Sequence, residues 1–227
     1  MIAKELVPWG RAKIFFRIQK MMSQHLPLYP VVLPLDLQSM STKERVMAMH
    51  RFSREALTLS AGRTGISLPP LEKDGWGAPM VFGDGYYWSL SHKPSGCAAV
   101  VGQGRMGIDI EEIRTRGQGV MDYAVTKEEW ALLGEQSWQN FFILWTAKEA
   151  VLKAEGIGLA GLSRCCLVRR LGADELALDF TGRPWLVSYK VLGGHVVALV
   201  KQEGQEIIWV MTDGWRAGAI GNLSSSS

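Results

Sequence analysis

Two segments of this chain place carboxylates and an ammonium at spacings suited to chemistry on a phosphate ester. Gly107-Ile108-Asp109-Ile110-Glu111 reads as a strand, and alternation sends Asp109 and Glu111 to one face, Ile108 and Ile110 to the other. Two such carboxylates repel unless they are solvated or bridged by a cation. Trp145-Thr146-Ala147-Lys148-Glu149-Ala150-Val151-Leu152-Lys153 reads as a helix with Glu149 and Lys153 one turn apart. Three hard oxygen ligands beside a fixed positive charge are what a Mg²⁺-dependent reaction on a phosphate ester requires. Each segment alone has a plain alternative: a solvated strand end, or an exposed i,i+4 pair contributing about 0.3–0.5 kcal/mol. Together they are more specific. Lys148 either orients Glu149 or faces solvent, and the second is preferred.

Ser91-His92-Lys93 adds a hydroxyl, an imidazole and an ammonium, in what reads as a turn between two strands. A histidine capping a turn is the simpler reading of His92. A Ser–His hydrolase fits poorly, since Ser91 adjoins His92 and no G-x-S-x-G elbow occurs. Cys97 near His92 is no better as a thiol-protease signal. Gly156-Ile157-Gly158-Leu159 follows a helix, whereas a dinucleotide fingerprint opens one, so it reads as helix termination. His25, His50 and His195 are scattered and are assigned no chemistry.

The elements that must position these groups are legible in outline. A strand is expected over Val31 to Leu37. A helix then opens at Ser41 with Glu44 as its capping box, carries an apolar face of Val46, Met49, Ala56 and Leu57, and ends near Gly62 and Gly65. Leu68 to Gly85 reads as loop. Strands are expected at Tyr86 to Leu90, Cys97 to Gly102 and Arg105 to Glu111, followed by a polar loop. Thr126 and Glu129 cap a short helix. A longer one runs from Trp138 to Glu155, with Phe141, Leu144, Trp145 and Leu152 buried and Gly156 as its cap. Four strands follow: Cys166 to Leu171, Leu176 to Phe180, Trp185 to Leu192 and His195 to Lys201, the last two joined at Gly193-Gly194. A further strand is expected at Glu206 to Thr212, before a Gly- and Ser-rich tail.

The same element order thus recurs over 31–102 and 105–201. The expected fold is α+β, with two pseudo-symmetric lobes, each a small, mostly antiparallel sheet packed on a long helix. The expected divisions are an N-terminal extension 1–27, an N-terminal lobe 28–104, a C-terminal lobe 105–203 carrying the metal site, and a strand with disordered tail 204–227.

Composition bounds the rest. With 227 residues, 47% hydrophobic and nine tryptophans, the chain can bury a real core. A net charge of +3 suits an acidic or phosphate-rich partner but is far from the signature of a nucleic-acid binder. Cys97, Cys165 and Cys166 are odd in number and lack CxxC spacing, which argues against disulfides and zinc and for a reducing cytoplasm. Arg11, Lys13, Arg17 and Lys20 interrupt the N-terminal apolar residues, so no signal peptide is read there. No run approaches the roughly 18 apolar residues of a membrane helix. Trp9 to Met22 is basic and aromatic at near-helical spacing, but an extension packed on the body or frayed from it is preferred to a membrane-surface helix.

In this order, the motifs resemble the 4′-phosphopantetheinyl transferase superfamily. Gly107 to Glu111 is similar to its G-[IV]-D-x-E strand, Trp145 to Lys153 to its W-x-x-K-E-[AS]-x-x-K helix, and Ser89-Leu90-Ser91-His92 to its S-x-S-H signature. Length and doubled element order resemble the larger, two-lobed, surfactin-type branch. The resemblance implies transfer of 4′-phosphopantetheine from coenzyme A to a serine of an apo acyl or peptidyl carrier protein, with release of 3′,5′-ADP. It implies Mg²⁺ held by Asp109, Glu111 and Glu149, Lys153 on the pyrophosphate, and Glu149 as the base. Ser91 and His92 would bind the 3′-phosphate, assisted by Lys93, Arg51 or Arg54. The family's G-K-P is here Gly77-Ala78-Pro79, so the cationic role is either lost or moved, with Lys73 and Lys93 as the candidates to supply it. A monomer completing its own site is expected. The alternatives are a non-catalytic relative binding coenzyme A or a carrier protein, another Mg²⁺-dependent phosphotransferase or phosphohydrolase, and a structural module without ligand.

Overall fold

The structure, a computed structural model, describes residues 25–75, 79–212 and 215. The segment Trp9 to Met22, the Gly77-Ala78 departure and the serine tail lie outside the described residues. The described elements are strand β1 (Val31–Pro34), helix α1 (Thr42–Thr64), strands β2 (Tyr86–Lys93), β3 (Gly96–Gln103) and β4 (Ile108–Glu112), and helices α2 (Gln118–Ala124), α3 (Lys127–Leu133) and α4 (Trp138–Glu155). A 3₁₀ turn (Gly158–Arg164) leads into β5 (Cys165–Arg170), β6 (Glu175–Phe180), β7 (Arg183–Leu192), β8 (His195–Lys201) and β9 (Val210–Met211).

The fold is α+β. One sheet has the order β2-β3-β1-β9, the other β4-β8-β7-β6-β5. Their internal likeness is topological. In the first, β3 lies between β1 and β2 and is antiparallel to both. In the second, β8 lies in the same way between β4 and β7. In each case the long helix falls between the first and second strands of the trio and packs on its sheet.

Side-chain alternation builds the layers. Val32, Ala98 and Val100 from the first sheet meet Ile108, Ile110, Val197 and Leu199 from the second in a shared core. The opposite faces carry Val31, Ala99 and Val101, which pack with Ala56, Leu57 and Ala61 of α1, and Val196, Ala198 and Val200, which pack with the apolar residues of α4. β3 and β8 are therefore buried on both faces, which is why they read as near-continuous apolar runs.

The helix boundaries follow from capping chemistry. Ser41 and Glu44 form the expected box, and Gly65 ends α1 in the left-handed conformation at φ 76°. Thr126 and Glu129 repeat the box on α3, and Gly156 at φ 73° closes α4. The buried face of α1 differs from the expected one. Val46 is exposed, and Ala48, Ser53, Ala56, Leu57, Ser60 and Ala61 are buried. Small residues let the helix lie close to the sheet, where the Ser60 hydroxyl accepts a bond from the Val101 amide at 3.0 Å.

Three further expectations are corrected. The polar stretch after β4 contains helix α2, which has no apolar period in the sequence to announce it. The last strand is only Val210–Met211, and it joins the first sheet parallel to β1. The Ser91-His92-Lys93 segment is strand, because β2 and β3 stay in register to Lys93 and Gly96 and leave Pro94 and Ser95 as the turn. Among the described residues, no helix is long and apolar enough to cross a membrane.

Candidate functional site

The two sheets meet along the edge strands β2 and β4, and the motif side chains converge on that seam. The strand reading of Ser91 to Lys93 explains how. On β2, Trp88 and Leu90 face α1, whereas Ser89, Ser91 and Lys93 face β4. The Ser89 hydroxyl accepts the Ile108 amide at 3.0 Å, Ser91 donates to Asp109 Oδ1 at 2.7 Å, and Lys93 donates to Glu111 Oε1 at 2.7 Å. Three successive outward residues of one strand thus fasten to three positions of the other.

Helix α4 supplies the third side. Gly107 faces it at such close range that an added Cβ would stand 1.9 Å from the Ala150 carbonyl oxygen, so only glycine permits the approach. That contact brings Lys153 over β4. Its ammonium donates to Asp109 Oδ1 at 2.8 Å, to the Ile108 carbonyl at 3.1 Å and to the Leu90 carbonyl at 3.4 Å. The ion pair of Lys153 is therefore with Asp109 on the facing strand β4, not with Glu149 one turn back along the helix.

The electrostatics identify a site short of positive charge. Burial, followed by the Asp109 carboxylate, pushes Glu149 up to about 7, with Lys153 opposing and Glu111 adding to the rise. Asp109 is only 3% exposed, and its Oδ2 is buried with no hydrogen-bond partner. An orphaned carboxylate oxygen beside two further carboxylates fits a small, hard cation. Yet among the described residues no three metal-competent side chains are already gathered around one point. The two lysines stand against Asp109 and Glu111 instead.

The other expected ligand groups divide differently. His92 points to the α1 side, where its ring meets that of His50 edge-on with centroids 5.3 Å apart. Burial, then His50 and Lys153, lower the His92 pKa. His50 had no sequence signal beyond its place one residue before Arg51. Arg51 and Arg54 are exposed on α1, Arg51 lying over the Phe52 ring. Lys73 lies over the Trp88 ring, beside a hollow of about 240 Å³ lined by residues such as Pro70, Leu71, Met80, Phe82 and Trp88. None of the three carboxylates lines that hollow. Ser91, expected on a phosphate, gives its proton to Asp109 here.

Lys148 overturns its expectation. It is buried, pairing with Glu129 at 2.7 Å and donating to the Ala124 carbonyl at 3.1 Å. Glu129 also accepts the Leu167 amide at 2.9 Å and closes the α3 capping box. The motif lysine thus ties α4 to α3 and β5. His195, likewise without an assigned role, bonds Ser95 at 2.7 Å and joins the two hairpin turns across the seam.

With this geometry in view, comparison with known proteins is informative. Residues 105–200 match the sequence model of the 4′-phosphopantetheinyl transferase superfamily. The chain is 27% identical over 147 residues to a putative 4′-phosphopantetheinyl transferase of Haemophilus influenzae, covering 58% of this chain and 63% of that protein. It is 33% identical over 112 residues to the 4′-phosphopantetheinyl transferase psf-1 of Bacillus pumilus, covering 47% of each. The chain thus spans less than two thirds of either relative.

Proposed function

We propose that this chain, whose residues 105–200 match the sequence model of the 4′-phosphopantetheinyl transferase superfamily, moves the 4′-phosphopantetheine group of coenzyme A onto a serine of an apo acyl or peptidyl carrier protein, releasing 3′,5′-ADP. We further propose that it is of the larger, two-lobed, surfactin-type branch and acts as a monomer. One observation carries the reading: Lys153 of the helix motif sits 2.8 Å from Asp109 of the strand motif, with Ser91 of the third motif on the same oxygen.

Asp109, Glu111 and Glu149 would hold Mg²⁺, which when bound supplies positive charge to the pyrophosphate. Lys153, anchored by a carboxylate and two carbonyls, keeps a permanent cation where charge develops on the departing nucleotide. Glu149 accepts the proton of the carrier serine as that oxygen bonds to phosphorus. The bond from this phosphorus to the bridging oxygen breaks, and its electron pair leaves with 3′,5′-ADP. Ser91 orients the Asp109 carboxylate. His92, with Arg51 and Arg54 on the neighbouring helix, is the candidate set for the 3′-phosphate, and Lys73 for the cation that Ala78 lacks. The three free cysteines suit a reducing compartment such as the cytoplasm.

The test is intact-mass analysis of a panel of apo carrier proteins after incubation with coenzyme A and Mg²⁺. A gain of one phosphopantetheine unit on a carrier supports the reading. Tight coenzyme A binding with no gain on any carrier points to a binding relative, and turnover of small phosphoesters without a carrier points to a phosphohydrolase.

A further inference from the structure

We infer that Lys93 is a built-in counter-cation: its ammonium holds on Glu111 the positive charge that a divalent ion brings when it binds, so metal entry and release of Lys93 are one exchange. The inference rests on the metal site proposed above and concerns how this chain's own residues prepare it.

Three carboxylates, Asp109, Glu111 and Glu149, influence one another at the seam, and two ammoniums, Lys93 and Lys153, oppose them. Like charges in a half-dry site are costly without a cation between them. The lysines are that cation in this arrangement, in which no three metal-competent side chains among the described residues gather around one point.

The two lysines are not equally committed. Lys153 meets three acceptors, two of them backbone carbonyls, which matches the three donors of an ammonium. Moving it would take a donor from two backbone carbonyls as well as from Asp109. Both lysine side chains are 30% exposed, but Lys93 sits at the end of β2 and its bond is to a single carboxylate oxygen, Glu111 Oε1. A flexible four-carbon stem at a strand end can swing into water at little cost. Lys93 is therefore the cation that yields. Once released it stays within a side-chain length of the carboxylates, where an anionic substrate can take it up. Ion binding and phosphate binding would then reinforce each other.

The experiment uses the full chain stripped of metal, with neither coenzyme A nor a carrier protein present. Calorimetric titration with Mn²⁺ should show Lys93→Met binding the ion about fivefold or more tighter than wild type, since the competing pair is removed. Lys93→Arg should bind it more weakly, because a guanidinium fork grips a carboxylate harder. Reductive methylation read by peptide mass gives a second measure. In the wild type, Lys93 should label faster with Mg²⁺ than in chelator, while Lys153 should not. Unchanged or weaker ion binding by Lys93→Met, or Lys93 labelling indifferent to Mg²⁺, overturns the exchange. Should Lys93→Met fail to fold, the labelling of the wild type decides. If the wild type binds no divalent ion at all, the proposed metal site fails as well; if it binds the ion while Lys93 is indifferent, only the exchange is wrong.

Discussion

The backbone of Gly107 touches the backbone of Ala150, with no room for a single carbon between the strand and the helix. This contact joins the two motif segments, since Asp109 lies two residues along from the glycine and Glu149 and Lys153 flank the alanine. Gly107→Ala should push α4 off β4. We expect a loss of about 3 kcal/mol, at the upper end of overpacking costs because the opposing atom is a carbonyl rather than a side chain. Urea denaturation measures the loss, and carrier modification should fall with it. A variant of unchanged midpoint and activity would show that the approach is not required.

Asp109→Asn and Glu149→Ala should each abolish transfer, by about 10²-fold or more, while the protein keeps its circular dichroism spectrum. Near-normal modification of a carrier by folded Glu149→Ala would remove its assignment.

Glu149 also makes a pH prediction. Its folded pKa of about 7 lies above the ordinary glutamate value of 4.5, so the folded state binds the extra proton between these values. Stability must therefore fall as pH rises from 4.5 to 7. Glu149→Gln escapes this. In chelator at pH 8 it should be more stable than wild type by about 1–2 kcal/mol, a figure reduced for solvent screening, with the difference vanishing near pH 4. Paired urea titrations at several pH values check this, and a gap that does not change with pH would refute it.

Lys148 and Glu129 form a buried pair with every visible partner in place. Lys148→Ala should cost about 3–5 kcal/mol by leaving Glu129 charged and buried. The fraction that remains folded should keep a normal KM for coenzyme A, because the lysine points away from the carboxylate cluster. A change in KM with unaltered stability would mean that the lysine acts on the substrate.

The thiols should separate by environment. Burial raises Cys97 to about 11 and Cys165 to about 12, so both are almost wholly protonated at pH 8. Cys166 is exposed. Iodoacetamide at pH 8 should modify Cys166 quickly and the other two only after denaturation. Three equal rates would contradict the burial described.

Much of the molecule was legible in the chain itself. The capping residues Ser41, Thr126, Gly65 and Gly156 act through the backbone atoms next to them, so they fix helix ends before any tertiary contact forms. The strand alternation that sets Asp109 and Glu111 opposite Ile108 and Ile110 is equally local. Helix α2 was not legible, because seven residues without an apolar period carry no helical signal.

What tertiary structure decided is which distant groups share a space. Spacing offered Glu149 as the partner of Lys153, yet the close approach at Gly107 gives that lysine to Asp109. Spacing also offered solvent to Lys148, which only the packing of α4 on α3 and β5 turns into a buried ion pair. His50 of α1 and His92 of β2 meet between a helix and a strand, a contact that no period encodes. Local propensities and alternation are properties of neighbouring residues, so the sequence determined the capped helix ends and the faces of the strands, though not α2 or the buried face of α1. The pairing of charges depends on distances through space across the seam, and those exist only once the two sheets have met.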